Sequence, residues 1–359
     1  MQHTQGPKEY AESLEPARAD EAPGSVTSLS MEHNNQGALL HFAGDTDGAR
    51  RAYEKALAED PDNPSALNNL GFLLAQEGRF AEAAPLYERA AALDPDSATA
   101  RVNLGNARIG MGDLDAGVAD LHTALTMDHT NALAWDALAT ALMLAGDLER
   151  AEAAWRSALR VAPTEARYAV SLGTVIAAQQ RLDEGCDLLR TAVELDPASG
   201  RAWGQLGIAL LARSDLGSAE DALRRSLQLV PEDNDVRRHL VTVLVARGKT
   251  AEAVLELKRI LALRPEMVEA RVDLGVVLLG SGDAPSALGE LDAVVQADPD
   301  DMRAAYYKAS ALHLTGRNAE AAALLEQVAA GDDETHAVRA REYLSEVLAA
   351  DAPVPAGEA

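Results

Sequence analysis

The sequence contains one cysteine, Cys186, and few aromatic residues, which make up 4% of the chain. A single cysteine excludes both an intrachain disulfide and a metal site built from several cysteines. Lysine and arginine together number 32, against 57 aspartate and glutamate residues, so the formal net charge is -25. Because nucleic acids and anionic membranes attract basic surfaces, this charge argues against nucleic acid and membrane as general partners.

Long apolar runs are also missing. No segment approaches the roughly 20 apolar residues of a transmembrane helix, and the first residues lack the apolar core of a signal peptide. We therefore expect a cytoplasmic protein without membrane insertion. The eight histidines do not have the spacing of metal ligands, and Gly105 and Gly110 are followed by Met111 instead of the lysine of a phosphate-binding loop. The sequence predicts no catalytic residue, no metal and no cofactor, so we expect a protein that is not an enzyme.

The sequence does have a period of 34 residues, typical of a repeat protein. We count nine repeats, each numbered from position 1, which start at residues 30, 64, 98, 132, 166, 200, 234, 268 and 302. Position 32 is proline in most of them. Position 8 is small or valine, at Gly37, Gly71, Gly105, Ala139, Gly173, Gly207, Val241, Gly275 and Ala309. Position 20 is always small, at Ala49, Ala83, Gly117, Ala151, Gly185, Ala219, Ala253, Ala287 and Ala321.

Apolar residues within each repeat follow two helical stripes, so each repeat is predicted to form two amphipathic helices. Glycine at position 15, as in Gly78, provides the left-handed residue that ends the first helix. Gln180 and Ser214 replace it in repeats five and six. The small residues at positions 8 and 20 are expected to let the two helices approach closely.

The repeats define the predicted domain boundaries. Residues 1–29 carry several prolines and many charges, and we expect them to be disordered. Residues 30–335 form the nine repeats, and residues 336–350 form a capping helix whose polar face points to water. Residues 351–359 are predicted to be a disordered tail.

This pattern resembles the tetratricopeptide repeat family. The resemblance is clearest in residues 64–97, which combine Leu70, Gly71, Ala83, Tyr87 and Pro95 at positions 7, 8, 20, 24 and 32. Val241 at position 8 and Lys308 at position 7 depart from the pattern. We expect these departures to affect the local packing and not the fold. The resemblance implies an all-α fold, an α-solenoid in which helix-turn-helix repeats form a right-handed superhelix. It also implies that the first helices line a concave groove.

Position 6 is asparagine in the first three repeats, at Asn35, Asn69 and Asn103, with Asn68 and Asn106 close by. An amide side chain can hydrogen-bond both the N–H and the C=O of an extended peptide, whatever the peptide's sequence. These residues therefore predict a peptide-binding groove. The alternative is that asparagine is simply common on solvated helices and has no partner.

Further candidate groove residues are Thr140 and the apolar Phe72, Ile109 and Met143, with Phe42 and Leu144 beside them. The apolar residues either form pockets for a ligand's side chains or pack between repeats. A second group is basic and comprises Arg167, Arg201 and Arg238, with Arg303 further along. These arginines either hold a partner's carboxylates or pair internally with acidic residues such as Asp235, Glu269 and Asp273.

The sequence therefore predicts a non-catalytic adaptor that binds an extended segment of another protein. Two alternatives stay open. One is a structural scaffold that assembles as a homo-oligomer, and the other is an accessory subunit that presents substrates to a separately encoded enzyme.

Overall fold

The computed structural model describes residues 26–331 and 333–350, and within them every regular element is an α-helix. The helices are α1 Val26–Phe42, α2 Thr46–Glu59, α3 Pro64–Gln76, α4 Phe80–Leu93, α5 Ala98–Gly110, α6 Leu114–Met127, α7 Ala132–Leu144, α8 Leu148–Val161, α9 Ala166–Ala178, α10 Leu182–Leu195, α11 Gly200–Ala212, α12 Leu216–Leu229, α13 Asn234–Ala246, α14 Thr250–Leu263, α15 Val268–Gly280, α16 Ala284–Ala297, α17 Met302–Leu314, α18 Asn318–Ala330 and α19 Glu334–Ala350.

The helices form two compact bodies that divide after Leu195. Repeats one to five, α1 to α10, make up the N-terminal body. Repeats six to nine and the terminal helix, α11 to α19, make up the C-terminal body. Within each body the first helix of a repeat packs on its own second helix and on the next repeat, as in an α-solenoid. The predicted all-α repeat fold is confirmed.

The helix ends follow the sequence pattern. At the start of α3, the side chain of Asn63 accepts a hydrogen bond from the N–H of Ala66 at 3.0 Å. At its end, Gly78 has a φ of +75°, and the N–H of Arg79 donates to the carbonyl of Leu74 at 2.9 Å. This left-handed residue turns the chain into the second helix, as predicted for position 15.

Positions 8 and 20 are small because the helices of a repeat touch there. A Cβ atom on Gly71 would lie 2.9 Å from the ring of Tyr87. In repeat five a Cβ on Gly173 would lie 3.0 Å from the carbonyl oxygen of Gly185. Position 24 supplies the large residue beside this contact, and Tyr53, Tyr87 and Trp155 are almost fully buried there. The predicted role of the small residues is confirmed.

Two helix boundaries differ from the sequence prediction. α1 begins at Val26, four residues before the predicted first repeat, because no glycine or proline follows Gly24 before the repeat. α19 begins at Glu334, two residues before the predicted capping helix, and Ala337, Ala340 and Val347 are its buried side. Residues 26–29, part of the segment 1–29 that we expected to be disordered, belong to α1. The rest of that segment, residues 1–25, and the predicted disordered tail 351–359 lie outside the described residues.

Gln180 and Ser214 occupy the turn position with φ values of 65° and 66°, where the seven other repeats carry glycine. A side chain in this conformation costs about 1–2 kcal/mol relative to glycine. Replacing the side chain by glycine removes this cost. Glycine loses more conformational freedom on folding, however, and this loss offsets part of the gain in stability. We therefore expect Ser214→Gly to stabilise the protein by about 0.5–1 kcal/mol, measured as a higher urea midpoint. The reverse change, Gly248→Ser, should lower the midpoint, and equal midpoints for both variants would contradict this reasoning.

Candidate peptide-binding surface

The asparagines at position 6 do not have a common environment. Asn35 is exposed, whereas Asn69 is fully buried and Asn103 is 7% exposed. The Nδ2 of Asn69 donates to the Oδ1 of Asn34 at 3.0 Å, and the Nδ2 of Asn103 donates to the Oδ1 of Asn68 at 2.9 Å. The expectation of three accessible amides is therefore corrected, because two of them join neighbouring first helices.

These pairs follow a rule that connects consecutive repeats. Position 5 of one first helix faces position 6 of the next, which is 35 residues further along the chain. The same rule places Arg238 on α13 beside Asp273 on α15, at 3.2 Å. Asn35 is exposed because it belongs to the first described helix. The polar stripe of a single helix does not predict this contact. A pair of polar side chains 35 residues apart, either two amides or two opposite charges, does indicate it.

Most of the candidate arginines bond to other side chains of this protein. Asp273 accepts from Arg238 and also from Arg303, at 2.6 Å, so the internal pairing considered for these two arginines is present. The guanidinium of Arg167 lies 4.6 Å from the ring centroid of Tyr168 and donates to its hydroxyl at 2.7 Å. Burial raises the pKa of Tyr168 to about 12, so that hydroxyl stays protonated. Arg201 is exposed.

Other candidates in the N-terminal body stay accessible. Asn106 and Thr140 share position 9 on α5 and α7, are half-buried, and make no side-chain hydrogen bond within the described residues. Met143 is 39% exposed beside them, and Ile109 is half-buried. Phe72 is only 5% exposed because it packs in the core between α3, α4 and α5. This face of α5 and α7 therefore has polar groups without partners next to an accessible thioether.

A cavity of about 500 Å³ lies on the first-helix face of repeats seven and eight in the C-terminal body. Its apolar lining comes from Val241, Val245, Leu257, Val276 and Val277, and its polar lining comes from Asp235, Arg238, His239, Thr242 and Asp273. Burial lowers the pKa of His239 and outweighs the opposite effect of Asp235. His239 is therefore uncharged at neutral pH. The sequence predicts Arg238 as a candidate residue here but predicts no cavity, because the shape of the cavity depends on how α13 and α15 pack.

A second cavity, of about 620 Å³, lies between α16, α17 and α18. Lys308 reaches it from position 7, where repeats two to eight carry leucine. Its ammonium group forms an ion pair with Asp292 at 2.6 Å, and Arg317 pairs with Glu320 at 2.7 Å. The charged groups of this cavity therefore neutralise each other.

The described residues do not form a metal centre. They include no group of three histidine, cysteine, aspartate or glutamate side chains that could hold a metal ion. Cys186 is fully buried. No helix among α1 to α19 is long and apolar enough to cross a membrane.

Comparison with known families identifies the repeats. Residues 4–237, more than half of the chain, match the family model described as the Cilia and flagella-associated protein 70 C-terminal domain. Residues 244–312 and 278–341 match the model described as tetratricopeptide repeat. The chain belongs to the tetratricopeptide repeat family. Tetratricopeptide repeat proteins generally act as scaffolds for protein interactions and are generally not catalytic. No curated protein matches this tetratricopeptide repeat protein in sequence.

Two solved structures with TM-scores above 0.5 share the fold of this chain. The APC/C hetero-tetramer Cut9-Hcn1 is 17% identical, with a TM-score of 0.56, over 79% of this chain and 56% of that one. PilW, a type IV pilus biogenesis factor, is 21% identical, with a TM-score of 0.52, over 56% of this chain and 93% of that one. A tetratricopeptide repeat protein from Thermus thermophilus, TTC0263, is 22% identical, with a TM-score of 0.45, over 51% and 99%. At these identities the similarity concerns the fold alone.

Proposed function

We propose that this tetratricopeptide repeat protein is a non-catalytic adaptor that binds an extended segment of a partner protein on its first-helix faces. The observation that carries the proposal is the cavity between α13 and α15. It combines apolar walls with a small number of polar groups, which is typical of ligand sites, and its volume of about 500 Å³ is within their usual range.

The walls of the cavity favour an aliphatic side chain. Val245 is 45% exposed, and Val276 is half-buried on the neighbouring helix. Burying these surfaces against a partner would remove apolar area from water, at about 25 cal/mol per Å². The ion pairs from Asp273 to Arg238 and Arg303 fix the rim of the cavity before binding. A preformed rim reduces the ordering cost on the protein's side.

The negative charges near the cavity favour a partner that has basic residues next to that aliphatic side chain. Asp235 and Glu269 occupy position 2 of repeats seven and eight, are exposed, and form no ion pair within the described residues. The formal net charge of -25 attracts a basic segment over a longer range. We therefore propose a partner segment with an aliphatic residue flanked by lysine or arginine.

The N-terminal body offers a second surface for the same kind of ligand. Asn106 and Thr140 can hydrogen-bond a peptide backbone, since their donors and acceptors have no described partner. Exposed Asn35 and Met143 extend the set of accessible groups. In this proposal the amide groups that contact the peptide belong to Asn35 at position 6 and Asn106 at position 9, because the side chains of Asn69 and Asn103 bond to neighbouring first helices.

A random peptide library selected on the purified full chain tests the proposal. We expect enrichment of peptides with an aliphatic residue between basic ones. Val245→Glu should weaken the binding of the best peptide at least about tenfold, because a carboxylate then lies in the apolar wall. The measurement is the dissociation constant from fluorescence anisotropy.

Leu255→Glu is the matched control. Leu255 is 57% exposed on α14, the second helix of the same repeat, so the change has the same chemistry on a different face. This variant should bind like the unchanged protein. The proposal is wrong if the library yields no enriched peptide, or if both variants lose binding equally.

A further inference from the structure

The first described helix, α1, exposes a partly apolar face. In the next four repeats, position 10 is 0–1% exposed, at Leu73, Ala107, Ala141 and Val175. The corresponding residue of α1, Leu39, is 72% exposed, and Leu29 is 41% exposed. Glu32 and Gln36 lie between them and are exposed as well. Because residues three or four apart share one side of a helix, these four side chains form one surface, which we call the N-terminal face.

The last described helix, α19, exposes a second face of this kind. One side of α19 packs on repeat nine. On another side Val338 is 44% exposed and Leu348 is 54% exposed. Arg341 and Ser345 lie between them and are exposed. These four side chains are again three or four residues apart and form the C-terminal face.

The two faces have the same spacing. In each, two apolar residues are ten residues apart, with polar residues three and seven residues after the first of them. Ten residues of helix span about 15 Å, so the faces are equally long. Consecutive first helices in the array run parallel, since their positions 5 and 6 pair at a spacing of 35 residues. If α1 of one copy lies beside α19 of another in this orientation, Glu32 is opposite Arg341 and Leu39 is opposite Leu348.

The charges of the two faces are complementary. Glu32 forms no ion pair with any described residue. Arg341 donates from one Nη to the carbonyl of Ala329 at 3.1 Å, and a guanidinium has five N–H donors in all. A contact between two α1 helices would bring two glutamates into one small surface, and a contact between two α19 helices would bring two arginines. Charge therefore favours a contact between unlike faces.

We propose that copies of this chain associate head to tail, with the N-terminal face of one copy on the C-terminal face of the next. Such a contact is heterologous, so each added copy presents a further face and the assembly continues beyond a dimer unless it closes into a ring. Two helix faces of this length bury less than the roughly 1,200 Å² of a stable interface. The association is therefore weak and depends on concentration.

Static light scattering of the purified full chain, without peptide, tests the proposal over a series of concentrations. We expect an average mass above that of one chain, which rises with concentration. Glu32→Arg and Arg341→Glu each place like charges across the contact, so each variant should lower the association constant at least about tenfold. In an equimolar mixture of the two variants every junction between unlike chains again joins opposite charges. The mixture should therefore associate like the unchanged protein.

The net charge of the variants separates this contact from general repulsion. Glu32→Arg changes the formal net charge by two, from -25 to -23, and Arg341→Glu changes it from -25 to -27. If overall repulsion determined the association, the first variant would associate more strongly and the second more weakly. The proposed contact predicts that both associate more weakly.

Leu39→Glu tests the apolar part of the contact and should also abolish the rise in mass, because it places a carboxylate against Leu348. Leu144→Glu is the matched control, since Leu144 is 60% exposed on α7, which belongs to neither face. This variant should associate like the unchanged protein.

Two results would overturn the proposal. One is the mass of a single chain for the unchanged protein at every concentration. The other is an association that Arg341→Glu does not weaken, as expected for a contact between two α1 helices. No measurement here involves a peptide or the cavity on α13 and α15, so the outcome is independent of the proposed peptide binding.

Discussion

Replacing Glu256 by alanine is expected to destabilise the C-terminal body by about 3–5 kcal/mol. Glu256 on α14 forms an ion pair with Arg237 on α13 at 2.6 Å, and their side chains are only 7% and 8% exposed. Arg237 also donates to the carbonyl of Pro231. Without the carboxylate, a guanidinium would stay buried with one neutral acceptor, which is costly in a low-dielectric environment.

The measurement is urea unfolding followed by circular dichroism, combined with hydrogen exchange of α13 and α14 because repeat arrays do not always unfold in one step. Glu252→Ala is the matched control. Glu252 lies on the same helix and pairs with Arg224, but it is 47% exposed, so its loss should cost at most about 1 kcal/mol. Equal effects of the two changes would contradict the assignment of a buried pair.

The double variant Arg237→Met/Glu256→Leu separates the cost of an unpaired charge from the value of the pair. Replacing both partners by apolar residues of similar size removes the desolvation penalty together with the attraction. We therefore expect stability close to that of the unchanged protein, or somewhat higher. A loss as large as that of Glu256→Ala would show that the pair itself stabilises the fold.

The repeat period was sufficient to predict features that depend on one helix pair. The turn at Gly78 and the contact of Gly71 with Tyr87 follow from local chemistry that recurs every 34 residues. The same period identified Gln180 and Ser214 as the replacements for that glycine, and the structure places both in the left-handed region.

Features that depend on two repeats at once were not predictable in the same way. The sequence shows Asn69 on a polar stripe, but its burial results from Asn34 on the preceding first helix. The cavity between α13 and α15 likewise depends on residues of both helices, such as Val245 and Val276. The period describes which positions are equivalent, whereas the environment of a position also depends on the particular residues of the adjacent repeat.

The second large effect is expected for Gly185→Val in the N-terminal body. A Cβ atom on Gly185 would lie 3.0 Å from the backbone nitrogen of Ala177 and 3.0 Å from the carbonyl oxygen of Gly173. Backbone atoms cannot rotate away as a flexible side chain does, so α9 and α10 must separate. Overpacking of this kind typically costs about 1–3 kcal/mol, and we expect the upper end of that range because valine adds two further methyl groups.

Urea unfolding and hydrogen exchange of α9 and α10 measure this effect. Gly217→Val is the control, because a Cβ atom on Gly217 would have no neighbour within 4 Å. Valine there should leave stability unchanged or raise it slightly, since glycine inside a helix costs about 0.5–1 kcal/mol relative to alanine. Gly185→Ala should fall between Gly185→Val and the unchanged protein. If all three variants unfold at the same urea concentration, the close approach of the two backbones does not limit which side chains position 20 accepts.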